Sequence, residues 1–182
     1  MAMELWGGEW KVLMRSPLVR PRVLALVLAL NLGLAGDAAA FRAVDFDPRE
    51  PGDSWTFLED NVFTEIETVL PGTQLVNGVP TRVIETIGGP ESGSRVFQTN
   101  DTNGLRLHKL TVPGPEGGVQ VFTPPVMLLP AVFEVGTRFS GAGSFALTLT
   151  GFGTFPGSYS YTSRIVGAEQ VTVPAGTFQA LG

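Results

Sequence analysis

From residue 54 onward the chain alternates apolar and polar positions in short runs that glycine and proline interrupt. Period-two alternation marks strands with one buried face, because successive side chains on a strand point to opposite sides. Residues 54–58 read as the first such run and 62–70 as its continuation or partner. In the latter, Phe63, Glu65, Glu67 and Val69 alternate with Thr64, Ile66, Thr68 and Leu70. Neither of its faces is purely apolar, which points to a bent strand or one near a sheet edge. Asn77-Gly78 is a two-residue hairpin signal, since both residues accept the positive φ that a type I′ turn needs. Further strands are predicted over 79–87, 94–99, 105–112, 119–122, 138–150 and 158–166, the last pairing forward into a final hairpin. Gly141 and Gly143 inside one of these runs predict a bulge or a sharp bend. Pro124 to Pro130 reads as an apolar flap or as a strand connection. No helix of three turns is predicted after residue 40.

The final hairpin is the best-patterned stretch, Val171-Thr-Val-Pro-Ala-Gly-Thr-Phe178. Pro174 pre-sets the φ of a type I turn, and Gly176 can close a three-residue loop with a bulge. The stretch holds no titratable side chain, so it reads as a corner and not as a site.

These elements predict an all-β protein: a curved antiparallel sheet, as a half-barrel or open barrel. An internal echo suggests a duplicated meander. Gly52-Asp-Ser-Trp55 and Gly136-Thr-Arg-Phe139 each place a glycine three residues before an aromatic, at the opening of a strand. The second copy would be the shorter one, and the single domain over 41–182 is expected to be incomplete at its C-terminus.

The N-terminus changes the picture. Lys11, Arg15, Arg20 and Arg22 precede an apolar run over 23–34, and Ala38-Ala-Ala40 supplies small residues. This is the pattern of a secretory signal peptide, removed between Ala40 and Phe41. The apolar run is short of the about 20 residues a bilayer span needs, so no integral span is expected after removal. Met14 would begin a better-proportioned signal. Four of the 12 basic and three of the 17 acidic residues lie in the first 40, so the remainder carries 8 basic and 14 acidic residues, net −6. That balance disfavours nucleic acid and anionic lipid headgroups as partners. With no cysteine, disulfides, thiolate metal sites and cysteine nucleophiles are excluded.

Candidate chemistry is thin. His108 is the single histidine, on a strand, and reads as structural. Asp45/Asp47 and Glu65/Glu67 are carboxylates two apart, which a strand would place on one face, as a hydrolase would need; a solvated acidic surface is the better explanation of them. Asn100-Asp-Thr-Asn-Gly104 fits a calcium loop only in part, because Thr99 and Leu110 fall where ligands belong. A hairpin turn suits it better. Asn100-Asp-Thr102 also has the pattern of a glycosylation sequon. No catalytic, cofactor-binding or metal-ligating residue is assigned, and no cofactor is expected. Trp55, Phe57, Phe97, Phe122, Leu128 and Phe145 are candidates to line a concavity for a lipid or another apolar small molecule.

Gly52-Asp-Ser-Trp55-Thr-Phe57, Asp101-Thr-Asn-Gly104-Leu105, Phe122-Thr-Pro-Pro125 and Val171 to Phe178 carry a resemblance. The chain resembles a group of exported, uncharacterised bacterial envelope proteins with a late V-x-V-P-A-G-x-F hairpin. These are similar to the half-barrel proteins that include the lipoprotein-localisation factors. The resemblance implies a curved sheet around an apolar cavity and an exported, non-enzymatic role in binding or structural support. A periplasmic carrier of lipid is the narrower expectation, and a secreted hydrolase the outlying one.

Overall fold

The structure is a computed structural model that describes residues 40–46, 50–59, 63–115, 117–173 and 176–181; at 45–46, 57–59, 63 and 168–181 it describes the backbone alone. Along the chain run β1 (Phe41–Arg42), α1 (Ala43–Phe46), β2 (Ser54–Glu59), β3 (Phe63–Val69), β4 (Gln74–Val76), β5 (Val79–Ile87), β6 (Arg95–Asp101), β7 (Gly104–Val112), β8 (Gly118–Leu129), β9 (Val132–Phe133), β10 (Arg138–Leu149), β11 (Gly153–Arg164), β12 (Ala168–Val173) and β13 (Gly176–Leu181). Nine strands form one antiparallel sheet in the order β11-β10-β8-β7-β6-β5-β3-β2, with β4 paired to β5. Its edges, β11 and β2, do not meet, so the sheet stays open and no barrel closes. The predicted all-β architecture is what the chain adopts.

Local sequence accounts for the turns. Asn77 and Gly78 take φ of 50° and 79° and join Val76 to Val79 in a two-residue hairpin, as their side chains allow. At the β6–β7 corner the Asp101 carboxylate accepts the Asn103 N–H at 2.7 Å, and Gly104 supplies a φ of 102°.

Four expectations are corrected. The strand ending at Arg164 pairs with β10 along its whole length and not forward into β12, which forms a separate two-stranded sheet with β13. In that hairpin Val173 faces Gly176, so Gly176 belongs to the strand and not to the loop; Pro174 and Ala175 lie outside the described residues. Pro124 to Leu129 is no flap, since Val126, Met127 and Leu129 pair with β7. Gly141 and Gly143 make no bulge, for the β10–β11 register runs unbroken from Arg138↔Arg164 to Leu149↔Gly153.

The echo, in contrast, is written into the hydrogen bonds. Glu50 donates its N–H to the Asp53 carboxylate at 2.9 Å, and Glu134 donates to the Thr137 hydroxyl at 2.9 Å. Asp53 N–H reaches Glu50 O, and Thr137 N–H reaches Glu134 O, both at 3.0 Å. Gly52 N–H binds Val69 O and Gly136 N–H binds Ile165 O, while Val69 and Ile165 return their N–H groups to Asp53 O and Thr137 O. Gly52 and Gly136 have nearly the same φ, 95° and 97°. The ladders continue in step: Ser54↔Thr68 and Trp55↔Glu67 correspond to Arg138↔Arg164 and Phe139↔Ser163. The protein therefore contains two copies of one turn-and-hairpin unit, β2–β3 and β10–β11, joined through β5 to β8.

The sheet splits at one end. Residues Gly118–Val121 of β8 pair with both β7 and β10, Phe122 and Thr123 pair with β10, and from Val126 on the pairing of β8 among the described residues is with β7. Among the described residues, Arg138 to Gly143 of β10 then pair with β11 alone. Across the gap Tyr159 donates its hydroxyl to Pro124 O, and Tyr161 accepts the Met127 N–H at 2.9 Å. Ala43, Leu105, Phe133 and Ile165 close the split end as a buried cluster, with Phe41, Leu129 and Phe139 against it. Burial of each of its large side chains contributes about 2 kcal/mol. Ala43 is held in place by its N–H on Ala131 O and by the Asn100 amide on its carbonyl. A second cluster, Val76, Val83 and Phe97 with Leu70 and Val121, fills the space under β4.

Candidate functional site

Register assigns faces. Paired residues in an antiparallel ladder share a face. Following the ladders from Trp55↔Glu67↔Thr86 and Ile84↔Val96↔Leu110↔Gln120↔Leu147 puts Trp55, Phe122 and Phe145 on one side of the sheet. Phe122 and Phe145 are buried and meet edge to face with ring centroids 6.3 Å apart. Trp55 is half-buried on the edge strand, with β3, β5, β6 and β7 between it and that pair. Phe57 pairs with Glu65 through its backbone; its side chain lies outside the description. Phe97 is on the opposite face, packed into the cluster under β4, with the Lys109 ammonium 4.3 Å above its ring. Leu128 lies beyond the β8 irregularity and is exposed. The six candidate positions thus do not converge on one concavity.

What the face does build is an aromatic stripe that the sequence reading missed. Tyr159 packs on Phe122 at 5.7 Å and stacks beside Tyr161 at 6.3 Å, and Tyr161 meets Phe139 at 6.4 Å. Glycines make room for it. Gly141, Gly143 and Gly157 are paired with Tyr161, Tyr159 and Phe145. A Cβ on Gly141 would lie 2.7 Å from the Tyr161 hydroxyl, and one on Gly143 2.9 Å from the Tyr159 ring. The rings lie across bare backbone, so the glycines are seats and not bends. Glycine opposite an aromatic on alternate positions was the available signal. Burial and the neighbouring Tyr161 phenol push the Tyr159 hydroxyl above its ordinary range.

On the other face β10 and β11 show Ser140, Ala142, Ser144, Thr148, Ser158 and Thr162, all exposed. Toward the opposite end of that face is a shallow groove of about 400 Å³ whose lining includes Arg95, Thr111, Val119, Thr148 and Thr150. Arg95 is held there by Glu85, through contacts of 2.8 and 2.9 Å. None of the six candidate residues touches this groove.

His108 sits at a double irregularity. It falls between Phe97↔Lys109 and Gln98↔Leu107 on the β6 side and between Leu107↔Val126 and Lys109↔Val121 on the β8 side. The extra residue turns the ring inward, where it is buried and its Nε2 shares a 3.0 Å hydrogen bond with the Thr99 hydroxyl. Burial, and then the Arg106 guanidinium, hold its pKa below the ordinary histidine range, against the opposing Asp101 carboxylate. Arg106 itself is clamped by both Asp101 oxygens at 3.1 and 2.9 Å.

Glu65 and Glu67 share a face of β3, as their spacing requires, Glu65 buried and Glu67 half-buried. Asp45 falls in α1, and Asp47 lies outside the described residues. The Asn100 amide is committed to Ala43, so the sequon nitrogen is part of the fold. Among the described residues no helix is long and apolar enough to cross a membrane. No family model, curated protein or solved structure matches the chain. Any functional reading therefore rests on these residues.

Proposed function

We propose that the protein is an exported, non-enzymatic protein of the bacterial envelope that works by binding through its sheet. The single observation that supports this reading is the one-sided aromatic stripe, Phe122, Phe145, Tyr159, Tyr161 and Phe139, set against an opposite face of serine, threonine and alanine. An open sheet with one aromatic face offers flat apolar area together with partly solvated ring edges, the combination that suits apolar ligands. The signal-like pattern of residues 1–40 supports export. The narrower reading, a periplasmic carrier of lipid, is the case in which the ligand is an acyl chain.

Expression of the full chain in a Gram-negative host, followed by fractionation and native mass spectrometry of the exported form, tests both readings. A mature N-terminus at Phe41 and a co-purified apolar adduct that Tyr159→Ser releases support the carrier. A mature protein that carries no adduct and takes up no added fatty acid or phospholipid removes it. Retention of the whole chain in the cytoplasm removes the exported role.

A further inference from the structure

We propose that the β11 edge from Ser158 to Val166 is a strand-acceptor site, which takes an extended peptide strand antiparallel to β11 with a carboxylate opposite Arg164. The inference concerns the sheet edge and is independent of the aromatic face.

The duplicated unit supplies the template. In the first copy β3 is covered by β5: Val69, Thr68, Glu67 and Ile66 pair with Ile84, Glu85, Thr86 and Ile87, and Leu70 N–H binds Val83 O. The matching positions on β11 are Ile165, Arg164, Ser163 and Thr162, and among the described residues they have no partner strand on that side. The apolar residue that follows marks the same vacancy. Leu70 is packed against the cluster under β4, whereas Val166 is 68 % exposed.

Backbone polarity shows which groups are open. Ile165 exchanges its hydrogen bonds with Gly136 and Thr137, toward β10. Bonding direction alternates along an antiparallel strand, so Ser163, Tyr161 and Tyr159 also point to β10. Ser158, Ser160, Thr162 and Arg164 present their N–H and C=O groups outward. Pro156 occupies an outward position too, where its missing N–H takes nothing from the ladder. Edge strands are commonly guarded by shortness, by charge or by proline. β11 is 12 residues long, carries no charge from Gly153 to Ser163, and is guarded by proline only below Ser158.

Charge selects the occupant. Arg164 faces Arg138 directly across the ladder, both side chains are exposed, and neither forms an ion pair among the described residues. Like charges directly opposite are unfavourable. In the first copy the matching row reads Ser54, Thr68, Glu85 and Arg95, where Glu85 pairs with Arg95. A strand laid on β11 in the β5 register puts its acidic residue beside Arg164, between outward backbone groups that supply the affinity of strand addition.

The test uses the purified protein and a fluorescein-labelled peptide with the sequence of residues 81–88, Thr-Arg-Val-Ile-Glu-Thr-Ile-Gly. Saturable anisotropy is expected, with slowed hydrogen exchange at Ser160, Thr162 and Arg164. Thr162→Pro is expected to weaken binding at least tenfold, and Arg164→Glu about tenfold. Methylation of the peptide nitrogens matching Glu85 and Ile87, which face the acceptor in the first copy, should abolish binding to the unmodified protein; this arm holds even if Thr162→Pro fails to fold. No saturable binding, or binding indifferent to Thr162→Pro and to N-methylation, overturns the proposal. So does protection of the outward amides before any peptide is added. A concentration-dependent dimer dissolved by Thr162→Pro overturns the peptide in favour of a second copy of this chain.

Discussion

The β2–β3 and β10–β11 units share one turn, one register and the same three backbone–backbone contacts, yet they are finished differently. The first is roofed by β4 and continued by β5, so Val69 is fully buried and Leu70 half-buried against the β4 cluster. The second ends the sheet, and its ladder is held instead by tyrosines that cross from β11 to β8 over glycines. The same local sequence grammar can therefore be stabilised by a neighbouring strand or by side chains lying across the strands. The difference resides in the residues that follow the turn and not in the turn.

The contrast can be broken by substitution. Gly141 corresponds in register to Phe57, so a side chain is native to that place in the first unit and excluded in the second. Gly141→Val is expected to displace Tyr161 from Met127 and to destabilise by about 3 kcal/mol, from overpacking and a lost hydrogen bond. Chemical denaturation measures it, and a loss under about 1 kcal/mol would mean that the tyrosine bridge is not needed. Leu70→Ala should cost about 2 kcal/mol, and its counterpart Val166→Ala less than about 0.5 kcal/mol, because only the first leaves a gap under β4. Equal losses would show that Val166 is covered in solution.

Where the units agree, their variants should agree. Gly52→Ala and Gly136→Ala place a Cβ at positive φ with open space around it, so each should cost about 1–2 kcal/mol of backbone strain. Thermal melts that separate the two by more than 1 kcal/mol would undo the equivalence. Asp53→Ala and Thr137→Ala each lose one side-chain bond to the turn and should cost about 1 kcal/mol. The mildest effect is on pH. His108, between the units, has a lowered folded pKa, so the unfolded chain binds its proton more readily. Its contribution is complete above the unfolded value of about 6.5 and is lost as pH falls below it. His108→Gln should flatten that part of the stability profile, and an unchanged profile would show that the ring does not titrate across it.

Much of the sheet was legible in sequence. Asn77-Gly78 specified its turn by backbone chemistry alone, and the alternation from Phe145 to Leu149 specified a strand. The echo of Gly52 and Gly136 was visible because a positive φ at a strand opening restricts the residue. β4 was missed because Gln74-Leu75-Val76 is too short for periodicity to register. The aromatic stripe was missed for a different reason: glycine in a strand reads as weakness until the ring that covers it is located on the partner strand. His108 looked like an ordinary strand residue, since two coincident register shifts depend on three strands at once. Face assignment failed for Phe97 because parity within one strand cannot say which side of a sheet the next strand has turned to it.

The tyrosine bridge has a mechanical consequence. Along most of the sheet, separating two neighbours means shearing a ladder in which many backbone bonds share the load. At the split, pulling β8 away from β10 and β11 loads two phenol contacts, the Ser144 hydroxyl on Thr123 O and the buried cluster that closes the split end, before it reaches the ladder at Thr123. Under tension the molecule should yield first along this line, as a book opens at a cracked spine, while each half remains intact.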